Sequence, residues 1–264
     1  MDDKIRNYIN IFREIIEILI NKNLCLKTKL ALIWRKTEKK ISNIPKVMCL
    51  PFRYGFIPYD NKIDWAIIWE IFFNEAYETN YKEKIVLDAG AHKGYFAAYA
   101  IEKGAYAVYA YEPEKENFIS LKKTAETHAK KNKQIFIFNE AISFRDEELE
   151  FYIGEDSIGH SIKKSNKKTL RTEKVQARSL KNAIIDILKF NSERQLIVKL
   201  DVEGAEFDII MNTDVETISI IEEIFIETHE RIIDYSLEKM KAKLKKAEHE
   251  IFQRDQYILY GKKR

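Results

Sequence analysis

Two short acidic stretches carry the side chains best suited to chemistry. KLDVEGAE, Lys199 to Glu206, follows the apolar run Leu196, Ile197, Val198 and sets Asp201, Glu203 and Glu206 close together. ETHE, Glu227 to Glu230, closes the apolar run EIFIET (223–228) and adds His229. Burying unpaired charge is costly, so strands that end in this way imply something beyond their ends that needs the acids. A carboxylate or histidine held against a hydroxyl can take its proton, and a positioned base commonly contributes ~10²–10⁴-fold to a rate. Asp201, Glu203, Glu227 and His229 are the candidate catalytic residues on this reasoning. Glu206 falls in the first turn of the following helix, where a carboxylate favours the helix dipole, and either that role or a binding role fits it. Lys199 either pairs with one of the acids or extends toward solvent. The same acids and His229 are ligand types that a divalent cation accepts, but no dedicated ligand spacing is present and no metal is expected.

A second constellation lies upstream. DAGAHKG, Asp88 to Gly94, follows an apolar run and opens a helical pattern. Its two glycines allow a sharp turn and a close approach of backbone to a ligand, and the helix start offers free N–H groups. It is not the phosphate loop of nucleotide hydrolases, because Lys93 is followed by Gly94 and Tyr95 rather than Ser or Thr. Nor is it GxGxxG, since Gly90 and Gly94 are separated by three residues, a spacing that fingerprint does not contain. Glu112 ends the next apolar run, where a carboxylate can accept both hydroxyls of a ribose. A ligand containing a nucleoside is expected. His92 is read as shaping the loop.

The elements that must position these residues are legible in the rhythm of the chain. IVLDAG (85–90), AVYAYEP (107–113), QIFIFNEA (134–141), LIVKLD (196–201) and EIFIET are short continuous apolar runs, with helical patterns at 94–103 and 114–131 between the first three. Such alternation predicts βαβ units and a parallel sheet covered on both faces. Ligands of open parallel sheets bind beyond the carboxyl ends of the strands, which is where the acids and the glycine loop fall. Residues 147–178 read as a hairpin or mobile loop, 236–246 as a lysine-rich helix, and EIFQRDQYILYGKK (250–263) as a closing hairpin. Toward the N-terminus, helices are expected over 3–20 and 26–40, a connector over 41–62 and one apolar helix over 64–77. The division that follows is a helical extension with linker, 1–63, and a catalytic domain, 64–264.

VLDAGAHKGYF, YAYEPEKENF and VKLDVEGAEFDII together resemble the FkbM-type branch of the class I S-adenosylmethionine-dependent methyltransferases, over roughly residues 84–262. The resemblance implies an α/β, Rossmann-like fold with a mostly parallel seven-stranded sheet and an antiparallel last strand. It implies S-adenosyl-L-methionine as cofactor, with Asp88, Gly90, Ala91 and Gly94 around the methionine part and Glu112 on the ribose. Glu140 and Ala141 would lie beside the adenine, and Asp201 would face the reacting methyl group. The acceptor it suggests is a hydroxyl on a sugar, glycan, lipid-linked or secondary-metabolite molecule. N-methylation of protein or RNA is the alternative enzyme, though no NPPY-like segment is present, and a cofactor-binding scaffold is the non-enzymatic one.

Composition narrows the partners. Against 45 Lys and Arg stand 42 Asp and Glu, a formal net charge of +3, which is too balanced for a dedicated nucleic-acid binder. The basic run KKSNKKTLRTEK (163–174) reads as a solvated loop or as a guide for an anionic acceptor. Cys25 and Cys49 form no CxxC pair and suit reduced thiols in a cytoplasmic protein. The stretch IFREIIEILI is broken by Arg13, Glu14 and Glu17, so neither a secretory signal nor a spanning helix is expected. The extension is expected to pack on the catalytic domain, with a homo-oligomer contact or a peripheral membrane contact as other uses.

Overall fold

β-Branched and aromatic residues in unbroken runs form the strands, and burial shows why the runs are unbroken. The computed structural model describes residues 3–20, 29, 33, 50–52, 55–57, 62–129, 134–154, 169–228 and 234–264. Contacts between α-carbons divide the chain into two units, 1–75 and 76–264.

In the first unit, α1 (Asp3–Ile20) is an amphipathic helix with Ile18 buried. Two short strands, β1 (Leu50–Phe52) and β2 (Gly55–Ile57), pair antiparallel within the stretch expected to be a plain connector. The helix expected over 26–40 lies outside the described residues except at 29 and 33. The single helix expected over 64–77 is instead α2 (Lys62–Ile68) continuing into a π-helical turn, Trp69–Phe73. Asn74 N–H donates to the Trp69 carbonyl at 3.0 Å, and the Trp69 and Phe73 rings stack at 4.3 Å. Glu75, with φ of 50°, turns left-handed and stops the helix there.

The second unit is built on seven strands: β3 (Ile85–Ala89), β4 (Ala107–Tyr111), β5 (Gln134–Phe138), β9 (Leu196–Leu200), β10 (Ile221–Glu227), β11 (His249–Gln253) and β12 (Ile258–Lys263). Their spatial order is β11-β12-β10-β9-β3-β4-β5. β5, β4, β3, β9 and β10 run parallel, while β12 lies antiparallel between β10 and β11. Every residue of β3 and β9 is buried, as strands covered on both faces require, whereas the edge strand β5 exposes alternate residues. Helix α3 (Tyr95–Glu102) is buried from Tyr95 to Ile101, and α4 (Lys115–Ala129), α5 (Leu180–Leu188), α6 (Glu206–Asn212), α7 (Val215–Ser219) and α8 (Asp234–Lys246) complete the unit.

A side sheet in the order β6-β8-β7 joins β6 (Ala141–Ser143), β7 (Glu147–Gly154) and β8 (Thr169–Ser179). β7 and β8 are the hairpin expected in this region. The run QIFIFNEA therefore divides between two sheets, because a turn at Asn139 and Glu140 redirects the chain. Among the described residues, no helix is long and apolar enough to cross a membrane.

The chain proceeds outward from β3 through β4 to β5, then returns to place β9 on the other side of β3 and proceeds outward again to β10. β3 and β9 thus flank the topological switch point, where diverging loops leave a crevice beyond the strand ends.

Candidate active site at the switch point

The loop after β3 is fixed from both sides. Gly90 and Ala91 N–H both donate to the Tyr111 carbonyl at 3.0 Å, tying the loop to the end of β4. Gly90 has φ of 78°, and a β-carbon there would collide with the Asp201 carbonyl oxygen. Asp201 N–H donates to the Ala89 carbonyl at 3.1 Å, so the loops after β3 and β9 touch through their backbones. His92 is left-handed with φ of 51°, and Gly94, with φ of 88°, precedes α3. A β-carbon on Gly94 would stand 2.8 Å from Leu121 Cδ1 and 3.1 Å from Thr124 Cγ2, so this glycine lets α4 pack against the loop.

Glu112 is 5% exposed just beyond β4. Its Oε2 accepts from the His92 N–H and its Oε1 from the Glu114 N–H, both at 2.8 Å. Burial pushes its carboxyl up to about 8, against the lowering effect of these two N–H donors. Each oxygen has a second lone pair for an incoming hydroxyl. Asn139 Nδ2 donates to the Glu112 carbonyl at 2.9 Å and to the Pro113 carbonyl at 3.1 Å, which brings the turn after β5 to the same place. Glu140 is half-buried in that turn, and Ala141 begins β6, packed with Phe151, Ile153, Val175 and Ala177.

Asp88 is wholly buried, and neither of its carboxylate oxygens has a hydrogen-bond partner. The Lys199 ammonium stands 3.5 Å from Oδ1, close enough to attract but long for a hydrogen bond. Burial pushes the Asp88 carboxyl up to about 6 even though Lys199 opposes the shift. Lys199 itself is 3% exposed, with Nζ 3.0 Å from Asp201 Oδ2 and 3.4 Å from the Gly90 carbonyl. Burial would lower its pKa, yet the Asp201 and Asp88 carboxylates, with Glu227 beyond them, hold the ammonium above the ordinary lysine range. The Tyr77 and Phe96 rings lie 5.7 and 5.6 Å from it.

At the end of β10, Glu227 Oε2 accepts from the Tyr77 hydroxyl at 3.0 Å. Tyr77 is held by edge contacts to Phe96 and Phe225, with ring centroids 5.1 and 5.7 Å away. The turn after Asp201 is tight, with φ of 56° at Glu203 and 104° at Gly204. Glu206 is fully buried beneath it, taking the Val202 N–H at 2.9 Å and the Gly204 N–H at 2.9 Å. Glu206 therefore holds the turn that presents Asp201 and Glu203. His229 lies outside the described residues.

The switch point thus brings Asp88, Gly90 and Asp201 together around Lys199, ties Glu112 to the glycine loop, and reaches Glu227 through Tyr77. Lys199 pairs with Asp201, one of the two alternatives the sequence left open for it, whereas Tyr77, which donates to Glu227, was not singled out in the sequence. A lysine inside the run LIVKLD was itself a signal, because lysine is almost never fully buried unpaired. Tyr77 gave none, because at the end of the apolar helix expected over 64–77 it reads as one more packing residue. Among the described residues, no group of three His, Cys, Asp or Glu side chains is placed to hold a metal ion. A groove lined by Leu188, Arg194, Ile220 and Glu222 lies at the opposite ends of β9 and β10, away from this chemistry.

Comparison with known proteins gives the following similarities. The crystal structure of methyltransferase FkbM from Methylobacillus flagellatus KT is 18% identical at a TM-score of 0.47, covering 70% of this chain and 44% of that one. This chain therefore spans less than half the length of that relative. M. jannaschii TYW2 in complex with AdoMet is 12% identical at a TM-score of 0.43, covering 85% of this chain and 88% of that one. Magnesium protoporphyrin IX methyltransferase (ChlM) from Synechocystis PCC 6803 with bound SAM is 10% identical at a TM-score of 0.36, covering 75% and 77% respectively. No curated protein matches the sequence. A family model described as a methyltransferase FkbM domain matches residues 88–251, well over half of the 264 residues, and the chain belongs to the FkbM methyltransferase family.

Proposed function

We propose that this chain transfers a methyl group from S-adenosyl-L-methionine to a hydroxyl of a sugar, glycan, lipid-linked or secondary-metabolite acceptor. The observation that carries the reading is the junction at the switch point: a glycine loop locked to Asp201, with Glu112 hydrogen-bonded to that loop at His92. The residues fit the cofactor. Asp88 holds two buried acceptor oxygens without hydrogen-bond partners, suited to an ammonium such as the methionine amino group. Glu112 accepts the ribose hydroxyls, Ala91 and Gly94 shape the loop, and the turn at Asn139 and Glu140 borders the base.

When bound, S-adenosylmethionine supplies an electrophilic methyl group whose bond to sulfur breaks as the bond to the acceptor oxygen forms. The protein's part is to align that oxygen and remove its proton. Asp201, Glu203 and Glu227 stand at the strand ends where the acceptor enters, and a carboxylate there takes the hydroxyl proton. Pressing a carboxylate on the sulfonium would favour the ground state, so holding the acceptor is the more useful task for these acids. Alignment supplies much of the remaining rate. The absence of a CxxC pair or a disulfide framework in the sequence supports a cytoplasmic setting for this activity.

The test is transfer of an isotopically labelled methyl group to a panel of sugars, lipid-linked glycans, polyhydroxylated metabolites, peptides and RNA. Label on a hydroxyl oxygen, lost in Asp201→Asn, is the expected result. Label on nitrogen of a peptide or RNA would replace this reading with N-methylation.

A further inference from the structure

Lys199 occupies a place where a hydrocarbon would be the simpler choice. It stands opposite Asp88 in β3 and Phe225 in β10, so its side chain shares a sheet face with both. Replacing buried ion pairs by apolar residues is often neutral or stabilising, so the ammonium needs a reason beyond folding. The reason lies in the charges on either side of the switch point. Without a cation between them, the buried Asp88 and its neighbour Asp201 would repel, and one would take up a proton.

We propose that Lys199 is a positioning residue of the cofactor site: it keeps Asp88 and Asp201 ionised together, leaving the methionine subsite one net negative charge that matches a cationic sulfonium cofactor better than its neutral product. The inference rests on the S-adenosylmethionine reading above. Two carboxylates and one ammonium give the subsite its charge. S-adenosylmethionine carries a sulfonium, an ammonium and a carboxylate, whereas S-adenosylhomocysteine lacks the sulfonium and is neutral overall. The site therefore favours the reactant and releases the demethylated product. Among the described residues, other titratable groups facing the cluster are Glu227 from β10, the Tyr77 hydroxyl, Glu112 from the end of β4, and Tyr81, whose phenol feels Asp88. Glu112 affects any ligand that carries the ribose, so the two ligands must be compared with each other.

The experiment is calorimetric titration of the full chain with S-adenosylmethionine and S-adenosylhomocysteine between pH 7 and 9, in buffers of different ionisation enthalpy. Wild type, Lys199→Met, Lys199→Arg and Asp201→Asn are compared, with thermal unfolding as the check on folding. In wild type the affinity ratio of the two ligands is expected to stay flat over this range. In Lys199→Met the ratio should climb with pH by up to about tenfold per unit, with S-adenosylmethionine releasing about one more proton than S-adenosylhomocysteine. Lys199→Arg should restore the flat profile. Asp201→Asn leaves a neutral subsite and should lower the ratio at pH 8 by about tenfold, which decides the matter if Lys199→Met does not fold. A ratio unchanged from wild type in Lys199→Met, or in Asp201→Asn where it stands in, overturns the inference and leaves the cofactor reading intact. Failure of wild type to bind either ligand overturns both.

Discussion

The backbone of Gly90 lies against the carbonyl oxygen of Asp201, leaving no room for a β-carbon. Two loops far apart in sequence thereby become one surface, and the acids after β9 take their positions from the glycine loop after β3. Gly90→Ala adds both a collision with backbone and a left-handed alanine. We expect it to cost about 2–4 kcal/mol in urea unfolding and to abolish cofactor binding. An alanine variant with unchanged stability would show that the contact is not tight.

Glu112 ties ligand affinity to a stability cost. Its folded carboxyl, raised to about 8, lies above the ordinary range near 4.5. A carboxyl raised on folding contributes stability that is full below its unfolded pKa and is lost as pH rises through the folded value. The ligand-free protein should therefore lose stability between about pH 5 and pH 8, and Glu112→Gln should flatten that decline while losing stabilisation by S-adenosylmethionine. Denaturant melts at several pH values, with and without cofactor, read both effects. Parallel profiles for the two proteins would contradict the burial argument.

His249 gives the opposite sign. It is 1% exposed, its Nε2 donates to the Ile221 carbonyl at 2.9 Å, and burial pulls its pKa below the usual 6.5. A histidine held neutral in the fold contributes stability present above its unfolded pKa and lost as pH falls below it. Wild type should weaken from about pH 6.5 downward, and His249→Gln should show a shallower acid limb. Equal slopes in urea unfolding between pH 5 and 7 would count against it.

Glu206 accepts the Val202 and Gly204 N–H groups from a fully buried position, so removing its carboxylate strands buried donors. Glu206→Ala should destabilise by about 2–4 kcal/mol and weaken cofactor binding in step with the loss of fold. Full stability with selective loss of binding would instead make Glu206 a ligand contact.

Tyr77→Phe removes one hydroxyl and keeps the ring packing against Phe96 and Phe225. If Tyr77 positions Glu227 for the acceptor, kcat should fall about tenfold while S-adenosylmethionine affinity stays within about twofold. A change confined to affinity would move Tyr77 to the cofactor side.

The central sheet was legible because β3, β4, β9 and β10 are buried enough to need continuous apolar runs, and that continuity survives in the sequence. That Asp88, Gly90, Glu112 and Asp201 would meet at the carboxyl ends of neighbouring strands was legible because each closes or follows an apolar run. Other features depend on contacts that no local pattern carries. Trp69 and Phe73 fit a helical period equally well whether the turn is α or π. The pairing of Leu50–Phe52 with Gly55–Ile57 was hidden by the proline between apolar residues. Lys199 reads the same in sequence whether it reaches water or two buried acids; only the register of β3 against β9 decides.

The most direct measurement is calorimetric titration of the wild-type chain and Glu112→Ala with S-adenosylmethionine, S-adenosylhomocysteine and NAD. Micromolar binding of the two sulfur nucleosides, lost in the variant and absent for NAD, is the predicted result. Binding of NAD, or no binding of either sulfur nucleoside to wild type, would contradict the account.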